Sequence, residues 1–256
     1  MSRSTVNDDE SRSLLVDIGN SNLKWAWLQQ GQLSPFESCA YGVNGVAALA
    51  YRSWSHAAKP CRVIVANVAG QQIADELQHW VLSEWGIESE FIVAPAQGLG
   101  VTNAYGQPEQ LGVDRWLALI AARKLTKDHV CVVDCGTAIT IDVLAPDGQH
   151  LGGLILPGLT MMRQTILDQT QIPFFEASAS TGLLAQDTAA AIAAGSLHAA
   201  AALVERVMLH MTEPEGITPK LMLTGKDAVR IKEVLTSDAA IEPELVMQGL
   251  ALVAVN

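Results

Sequence analysis

Hydrophobic residues recur with the period of a helix in some stretches of the chain and with the period of a strand in others. Together these two periods predict a mixed α/β fold. The first strand pattern, LLV at residues 14–16, runs directly into the polar stretch DIGNSN. A return strand over Leu23–Leu28 and a third strand near Gln32–Cys39 complete an antiparallel opening. From Val43 onward helical and strand patterns alternate, which is typical of α/β architecture.

The alternating part of the pattern predicts the bounds of the remaining elements. Helices are predicted at Val46–Ser55, Gln71–Glu84, Glu109–Lys127, Leu159–Leu167, Asp187–His210 and Glu244–Val255. Strands are predicted at Arg62–Ala66, Ser89–Ala94, Leu154–Leu156 and Lys220–Leu223. The apolar stretch Ala189–Val204 is too short and too often interrupted for a membrane span, so it predicts a buried, alanine-rich helix.

The opening pattern of strand and turn occurs a second time, in VCVVDCGTAITIDVL at residues 130–144. Asp134 corresponds to Asp17 and Gly136 to Gly19, each pair being 117 residues apart. Two copies of strand, D-x-G turn and strand predict a duplicated α/β unit with a cleft between the halves. Chance similarity between two buried strands is the alternative interpretation.

Both D-x-G turns have the composition of a phosphate site. A tight turn after a strand aligns successive backbone N–H groups, and glycine allows close approach of an anion. Asp17 and Asp134 come where each strand ends, a position suited to a carboxylate that binds a cation directly or through water. For either aspartate taken alone, a side chain that only caps the turn is the alternative.

The composition narrows the class of partner. The 256 residues carry a net charge of −11 with only 16 basic residues, which argues against a nucleic-acid or anionic membrane partner. An anionic substrate therefore needs backbone amides, a few placed cations and a metal. Four cysteines without a CxxC pair, and an N-terminal stretch without a signal-peptide core, predict a cytoplasmic protein with free thiols.

Other phosphate and nucleophile motifs are absent from the sequence. There is no GxxxxGK[ST] or GxGxxG motif, and TGKDA at residues 224–228 lacks the upstream glycine and the Ser or Thr after lysine. No serine nucleophile elbow occurs, and the six histidines are scattered singly. The two D-x-G turns are therefore the principal candidates for phosphate binding.

Seven motifs in order resemble those of one enzyme family. They are DIGNSNLK (17–24), YG (105–106) with LGVDR (111–115), DCGTAIT (134–140), GGLILPG (152–158), DTAAAIAAG (187–195), LTG (223–225) and PELVMQGL (243–250). Through these motifs the chain resembles the type III pantothenate kinases, members of the actin, sugar-kinase and chaperone-ATPase superfamily.

The resemblance implies a duplicated ribonuclease-H-like (actin-like ATPase) fold with two lobes and a cleft between the halves. Residues 1–13 are expected to form a flexible tail, 14–127 the N-terminal lobe and 128–256 the C-terminal lobe. It also implies ATP-dependent phosphorylation of pantothenate to 4'-phosphopantothenate, the first step of coenzyme A biosynthesis. Family members are homodimers in which the partner helps to complete the pantothenate site.

The resemblance further assigns roles to individual residues. ATP is expected to contact Asp17, Ile18, Gly19, Asn20, Ser21, Asn22, Leu23, Lys24 and Thr137. Pantothenate is expected to contact Tyr105, Gly112, Val113, Asp114, Arg115 and Thr188. Asp114 is the expected catalytic proton acceptor, Asp17 is expected to hold Mg²⁺ through water, and Asp134 to bind a monovalent cation, K⁺ or NH₄⁺.

The residues around Asp114 are compatible with the proton-acceptor role without the resemblance. Val113, Trp116, Leu117 and Ile120 recur at helical spacing and form an apolar stripe, beside which Asp114 lies. A carboxylate there can accept a hydroxyl proton, and the arginine that follows can supply positive charge to a substrate. A solvated Asp–Arg pair near the start of a helix is the alternative.

Two other functions stay open at this point. One is a kinase for a different small alcohol, or an ATPase, because D-x-G turns indicate phosphate binding but do not identify the molecule that receives the phosphoryl group. The other is a regulatory protein that keeps the fold without catalysis, against which the retention of Asp17, Asp114 and Asp134 argues. The helix over Asp187–Val204 is a hypothesis for packing between subunits, although a helix buried within one chain has the same pattern.

Overall fold

The computed structural model describes residues 12–172, 181–212, 216 and 218–256, which form two compact units. Unit 1 comprises the described chain up to Leu99 together with Tyr105–Ala121 and Glu244–Asn256. Unit 2 comprises Gly100–Ala104 and the described part of Ala122–Pro243.

The elements alternate along the chain as the sequence pattern predicts. The strands are β1 (Ser13–Ile18), β2 (Asn22–Gln29), β3 (Gln32–Leu33), β4 (Glu37–Ala40), β5 (Arg62–Asn67), β6 (Ser89–Phe91), β7 (Gln97–Gly98), β8 (Val101–Thr102), β9 (Val130–Cys135), β10 (Ala138–Leu144), β11 (His150–Pro157), β12 (Lys220–Thr224) and β13 (Ala239–Ile241). The helices are α1 (Gly45–Trp54), α2 (Gln71–Trp85), α3 (Val113–Leu125), α4 (Leu159–Gln169), α5 (Thr188–Thr212), α6 (Ala228–Lys232) and α7 (Leu245–Ala254).

Unit 1 is built on a sheet whose central strand, β1, is buried along its whole length. The strand order is β3-β2-β1-β5-β6, and β4 also pairs with β2. β1 runs antiparallel to β2 and parallel to β5. Because a strand covered on both faces is shielded from water, Leu14–Val16 is entirely apolar, and Asp17 comes only where the strand is ending.

Four tryptophans dominate the core on one face of this sheet. The ring of Trp54 lies 5.7, 5.6 and 6.3 Å, centroid to centroid, from the rings of Trp25, Trp80 and Trp85. Buried aromatic pairs of this kind contribute about 0.5–1.5 kcal/mol each beyond the area that they bury. Side chains alternate between faces along a strand, so Asp17 lies on the face opposite this core.

Unit 2 repeats the plan of unit 1. Its sheet has the order β11-β10-β9-β12-β13, and its central strand, β9, runs antiparallel to β10 and parallel to β12. The predicted α/β fold class and its duplication are therefore confirmed. The two hairpins differ in length by one residue, because Asp17 lies opposite Lys24 whereas Asp134 lies opposite Thr140.

The two units are not the two contiguous halves expected from the sequence, with their boundary after Lys127. The last helix, α7, belongs to unit 1. A Cβ atom added at Gly249 of α7 would lie 2.1 Å from the carbonyl oxygen of Leu117, so only glycine permits this approach. Arg62 of β5 also donates to the carbonyl oxygen of Ala254, at 2.8 Å. These contacts join segments far apart in sequence.

Other elements differ from their predicted bounds for local reasons. The predicted start of α3, Glu109, lies in a 3₁₀ turn at Pro108–Gln110, and Leu111 after it is extended, so the helix begins at Val113. Ser13 is the first residue of β1 rather than part of a tail, and the rest of the predicted tail lies outside the described residues except for residue 12. β7, β8, β13 and α6, each of two to five residues, were not predicted.

Within the described chain, α5 is the helix whose length and hydropathy would suffice to cross a membrane, and half of that stretch is buried. Leu197, Ala200 and Val204 pack into the core of unit 2 together with Val133 of β9 and Ile141 of β10. This packing agrees with the buried, alanine-rich helix that the sequence predicts.

Candidate functional site

The first predicted phosphate turn follows β1 in unit 1. Asp17 is 6% exposed, and its Oδ2 lies 3.7 Å from Nζ of Lys24, which faces it from β2. Ile18 and Leu23 are fully buried, so their side chains belong to the core and not to the surface of the turn. The hairpin thus brings a buried carboxylate and a partly exposed ammonium group together at the end of an apolar strand.

The turn itself is held from inside and from outside the hairpin. The N–H of Gly19 donates to the carbonyl oxygen of Asn22 at 3.0 Å. The hydroxyl of Tyr41 donates to the carbonyl oxygen of Gly19 at 2.9 Å. Asn20 and Ser21, at the tip of the turn, are exposed. The polar tip that the sequence predicts is therefore open to an anionic ligand.

The second predicted phosphate turn follows β9 in unit 2. The N–H of Gly136 donates to the carbonyl oxygen of Ala138 at 3.1 Å, which closes a shorter turn around Thr137. Asp134 is half-buried, and its Oδ1 lies 3.4 Å from the position that a Cβ at Gly136 would occupy. The carboxylate therefore lies beside its own turn, where it can contribute an oxygen ligand to a cation.

Two glycines outside this hairpin pack directly against the second turn. A Cβ at Gly225, which follows β12 and has φ +87°, would lie 2.5 Å from Oδ1 of Asp134. A Cβ at Gly158, which precedes α4, would lie 2.4 Å from the carbonyl oxygen of Gly136. The N–H of Gly158 also donates to the carbonyl oxygen of Thr137 at 2.9 Å. Both glycines occur in the motifs GGLILPG and LTG, but the sequence alone does not indicate their packing role, although each follows a predicted strand.

A third group of predicted site residues lies at the start of α3 in unit 1. Arg115 is only 5% exposed, and its Nη1 donates to the hydroxyl of Tyr105 at 3.0 Å. Its guanidinium carbon lies 5.8 Å from the centre of the Tyr105 ring. The alternative of a solvated Asp–Arg pair is therefore wrong for the arginine. A buried guanidinium fixed in this way presents a permanent positive charge.

Asp114 is half-buried in the first turn of α3. Its Oδ1 accepts the backbone N–H of Arg115 at 2.7 Å and lies 2.6 Å from the position of a Cβ at Gly112. Val113 is buried, as are the other members of the predicted apolar stripe, Trp116, Leu117 and Ile120. This burial confirms the stripe and leaves the carboxylate at its margin, partly accessible.

Thr188 is the first residue of α5 in unit 2 and is exposed. The preceding Asp187 accepts the backbone N–H of Ala190 at 2.8 Å and so caps the helix. The structure thus brings Asp17 to Lys24, Arg115 to Tyr105, and Asp134 to its turn, while Asp114 contacts the backbone of Arg115. The role of Thr188 stays a prediction.

The buried cysteines of β9 are poor nucleophiles. Burial, and to a smaller degree the negative charges of Asp134 and Asp227, raises the pKa of Cys135 far above that of an ordinary thiol. Burial raises the pKa of Cys131 to about 12, with a smaller contribution from Asp142. Both side chains are therefore neutral thiols near pH 7, which agrees with a site that works without a cysteine nucleophile.

Among the described residues, no group of three or more His, Cys, Asp or Glu side chains could hold a metal ion on its own. Asp17 and Asp134 each offer a carboxylate with hard oxygen donors. Mg²⁺ in phosphoryl-transfer sites commonly uses one or two carboxylates and completes its shell with waters and substrate phosphates. These residues fit that mode of binding, in which the ligand supplies part of the coordination.

Comparison with known proteins gives one consistent family. Residues 13–210 match the family described as type III pantothenate kinase. The type III pantothenate kinase of Nitrosococcus oceani is 43% identical over 247 residues, covering 94% of this chain and 93% of the relative. That of Nitrosospira multiformis is 34% identical over 248 residues, covering 94% and 90%.

Solved structures with low sequence identity share the fold. A Baf family transcriptional activator from Campylobacter jejuni superimposes with a TM-score of 0.62 at 22% identity, covering 94% of this chain and 97% of the other. A 2-dehydro-3-deoxygalactonokinase from Sinorhizobium meliloti gives 0.55 at 16% identity, covering 95% and 99%. At these identities the likeness concerns the fold alone.

Proposed function

Because the chain belongs to the type III pantothenate kinase family, we propose that it transfers the γ-phosphoryl group of ATP to the primary hydroxyl of pantothenate. The products are ADP and 4'-phosphopantothenate. The family match carries this proposal, since it covers both D-x-G turns and the start of α3. We place the reaction in the cytoplasm, where the free thiols expected from the sequence persist.

The segment Asp17–Lys24, together with Thr137, is our candidate for the ATP phosphates. The exposed tip of the first turn offers backbone amides, and Lys24 offers a positive charge that Asp17 orients at 3.7 Å. In phosphoryl transfer the protein chiefly positions the groups and offsets their charge, so oriented donors at the phosphates are the contribution expected of these residues.

Asp114 is our candidate for the proton acceptor. The hydroxyl oxygen of pantothenate forms a bond to the γ-phosphorus, the bond from that phosphorus to the bridging oxygen of ADP breaks, and the hydroxyl proton passes to the Asp114 carboxylate. Partial burial keeps the carboxylate accessible to the substrate while the N–H of Arg115 fixes its orientation. One carboxylate thus completes the proton balance of the reaction.

The remaining acceptor contacts are proposed around Arg115. Its buried guanidinium, held by the Tyr105 hydroxyl, can pair with the carboxylate of pantothenate. Gly112 and Val113 precede it at the start of α3, and Thr188 is the expected contact from α5. A charge fixed before binding loses little entropy when the substrate arrives, so this pair favours an anionic acceptor over a neutral alcohol.

Two cations are proposed to accompany the substrates. Asp17 would hold Mg²⁺ through water, and Asp134 would hold K⁺ or NH₄⁺. When bound, the cations offset phosphate charge in a protein whose own net charge is −11. The residues themselves supply only oxygen donors and the substrate completes the coordination, so we expect activity to depend on the cation concentration.

An acceptor panel tests the proposed function. Purified protein with ATP, Mg²⁺ and K⁺ is expected to release ADP with pantothenate and not with other small alcohols. Chelation of Mg²⁺ is expected to abolish the release, and replacement of K⁺ by a bulky organic cation to lower it several-fold. ADP is measured directly by chromatography, so that no coupling enzyme adds a cation requirement. Release with another alcohol favours a different kinase, and no release with any acceptor favours a non-catalytic protein.

We also propose a homodimer formed through the exposed strand β11 and helix α4 in unit 2. Leu151, Leu154 and Ile155 of β11 and Met161 and Ile166 of α4 are all exposed. β11 is also the edge strand of its sheet. An apolar edge strand left uncovered promotes aggregation, so a second copy of this chain is the expected cover. The buried face of α5 packs within its own unit, which leaves this surface as the better candidate.

The substitution Ile155→Asp is expected to convert the dimer to a monomer, because it buries a charge in the apolar interface. The molecular mass is measured by sedimentation or by light scattering after gel filtration. Val229→Asp, at an exposed apolar position of α6, is the matched control and is expected to keep the dimer mass. A monomeric wild type, or an Ile155→Asp variant of dimer mass, would contradict this surface.

A further inference from the structure

Tyr41 reaches the first phosphate turn from outside the hairpin. It follows β4, and its ring packs against the tryptophan core of unit 1 while its hydroxyl donates to the carbonyl oxygen of Gly19 at 2.9 Å. Burial raises the pKa of Tyr41 above its ordinary value, so the hydroxyl is a protonated donor at neutral pH. The ring is anchored by packing, and the hydroxyl by one hydrogen bond to the turn.

This hydrogen bond fixes a second group, the backbone N–H of Asn20. The carbonyl of Gly19 and the N–H of Asn20 belong to one planar trans peptide, in which the two groups point in opposite directions. A donor that holds the carbonyl on one side therefore directs the N–H to the other side. Asn20 is exposed at the tip of the turn, so an N–H directed away from the held carbonyl is available to an anion there.

The second phosphate turn also accepts a hydrogen bond from outside its hairpin, at the carbonyl one position further along the turn. In unit 1, β4 pairs with the return strand β2, and Tyr41 comes directly after β4. In unit 2, β11 pairs with the return strand β10, and Gly158 comes directly after β11. The N–H of Gly158 donates to the carbonyl oxygen of Thr137 at 2.9 Å. Both turns are thus held by the first residue after the strand that flanks their hairpin.

We propose that Tyr41 is a positioning residue for the ATP phosphates, acting through the peptide between Gly19 and Asn20. This inference rests on the proposed function, because it assigns the turn to the nucleotide. Without the hydroxyl the peptide can rotate, and the Asn20 N–H is no longer held in the orientation that a phosphate oxygen needs. The effect is confined to the nucleotide, since the group at the start of α3 is untouched.

The three tyrosines of the chain provide a matched experiment. Tyr41→Phe removes only the hydroxyl and is expected to raise KM for ATP about three- to tenfold, with KM for pantothenate unchanged. Tyr105→Phe removes the acceptor of the Arg115 hydrogen bond and is expected to raise KM for pantothenate instead. Tyr51→Phe, at an exposed position of α1, is expected to leave both unchanged.

Hydrogen–deuterium exchange of the peptide covering residues 17–24, without nucleotide, provides a readout independent of turnover. Faster exchange in Tyr41→Phe than in Tyr51→Phe is expected. The inference is wrong if Tyr41→Phe leaves KM for ATP unchanged, if both KM values rise together, or if the variant does not fold. A wild type that releases no ADP with pantothenate would instead overturn the proposed function, so the two failures are distinguishable.

Discussion

The substitution Asp114→Asn is expected to lower kcat about 10²- to 10⁴-fold, with KM for ATP unchanged, because it removes the proton acceptor while the nucleotide contacts stay in place. The fold is expected to survive, since the Asn oxygen can still accept the backbone N–H of Arg115 that Asp114 Oδ1 accepts at 2.7 Å. Initial rates of ADP release over a range of both substrates measure the effect.

Asp75→Asn provides the control for this loss. Asp75 is an exposed carboxylate in the same unit, on α2, and its hydrogen bond with Gln71 is local to that helix. We expect it to keep the wild-type kcat, which excludes a general effect of removing one negative charge. If Asp114→Asn retained half of the wild-type kcat, the proton acceptor would have to be another group.

The substitution Gly225→Ala is expected to destabilise unit 2 and to inactivate the protein. The added Cβ would lie 2.5 Å from Oδ1 of Asp134 and 2.7 Å from the carbonyl of Cys135, at a φ of +87°. The strained backbone and the overlap together cost about 2–5 kcal/mol. For a chain of this size we expect the midpoint of thermal unfolding to fall by at least about 4 °C. The overlap is also expected to displace Asp134, and this displacement should weaken the dependence of activity on K⁺.

Gly31→Ala separates the two causes of this loss. Gly31 also has a positive φ, +76°, but a Cβ there would meet nothing within 4 Å. We therefore expect only the backbone cost, about 1–2 kcal/mol, with unchanged activity and K⁺ response. If Gly225→Ala and Gly31→Ala lost stability and activity equally, the close approach of Gly225 to Asp134 would have no role in function.

The features that could be predicted from the sequence are those encoded in short, contiguous patterns. An apolar run that ends at Asp17 or Asp134 and continues into D-x-G marks the end of a buried strand, and the spacing of 117 residues revealed the duplication. The apolar stripe around Asp114 likewise predicted which side chains of α3 are buried. In each case the residues that allow the prediction lie in short stretches that can be recognised from the sequence alone.

The features that could not be predicted depend on contacts between distant segments. The hydroxyl of Tyr41 reaches a turn 22 residues away, and nothing in the sequence around it indicates a turn partner. The approach of Gly249 to Leu117, which brings α7 into unit 1, joins positions more than 100 residues apart. The burial of Arg115 was also missed, because a charged pair at a helix start is usually solvated.

The most direct test of the proposed pantothenate kinase activity is the product balance of a single reaction. Wild-type protein is incubated with ATP, pantothenate, Mg²⁺ and K⁺, and both ADP and 4'-phosphopantothenate are quantified by mass spectrometry. Equal amounts of the two products are expected, with neither formed when pantothenate is omitted. ADP formation that does not depend on pantothenate, or the absence of 4'-phosphopantothenate, would contradict it.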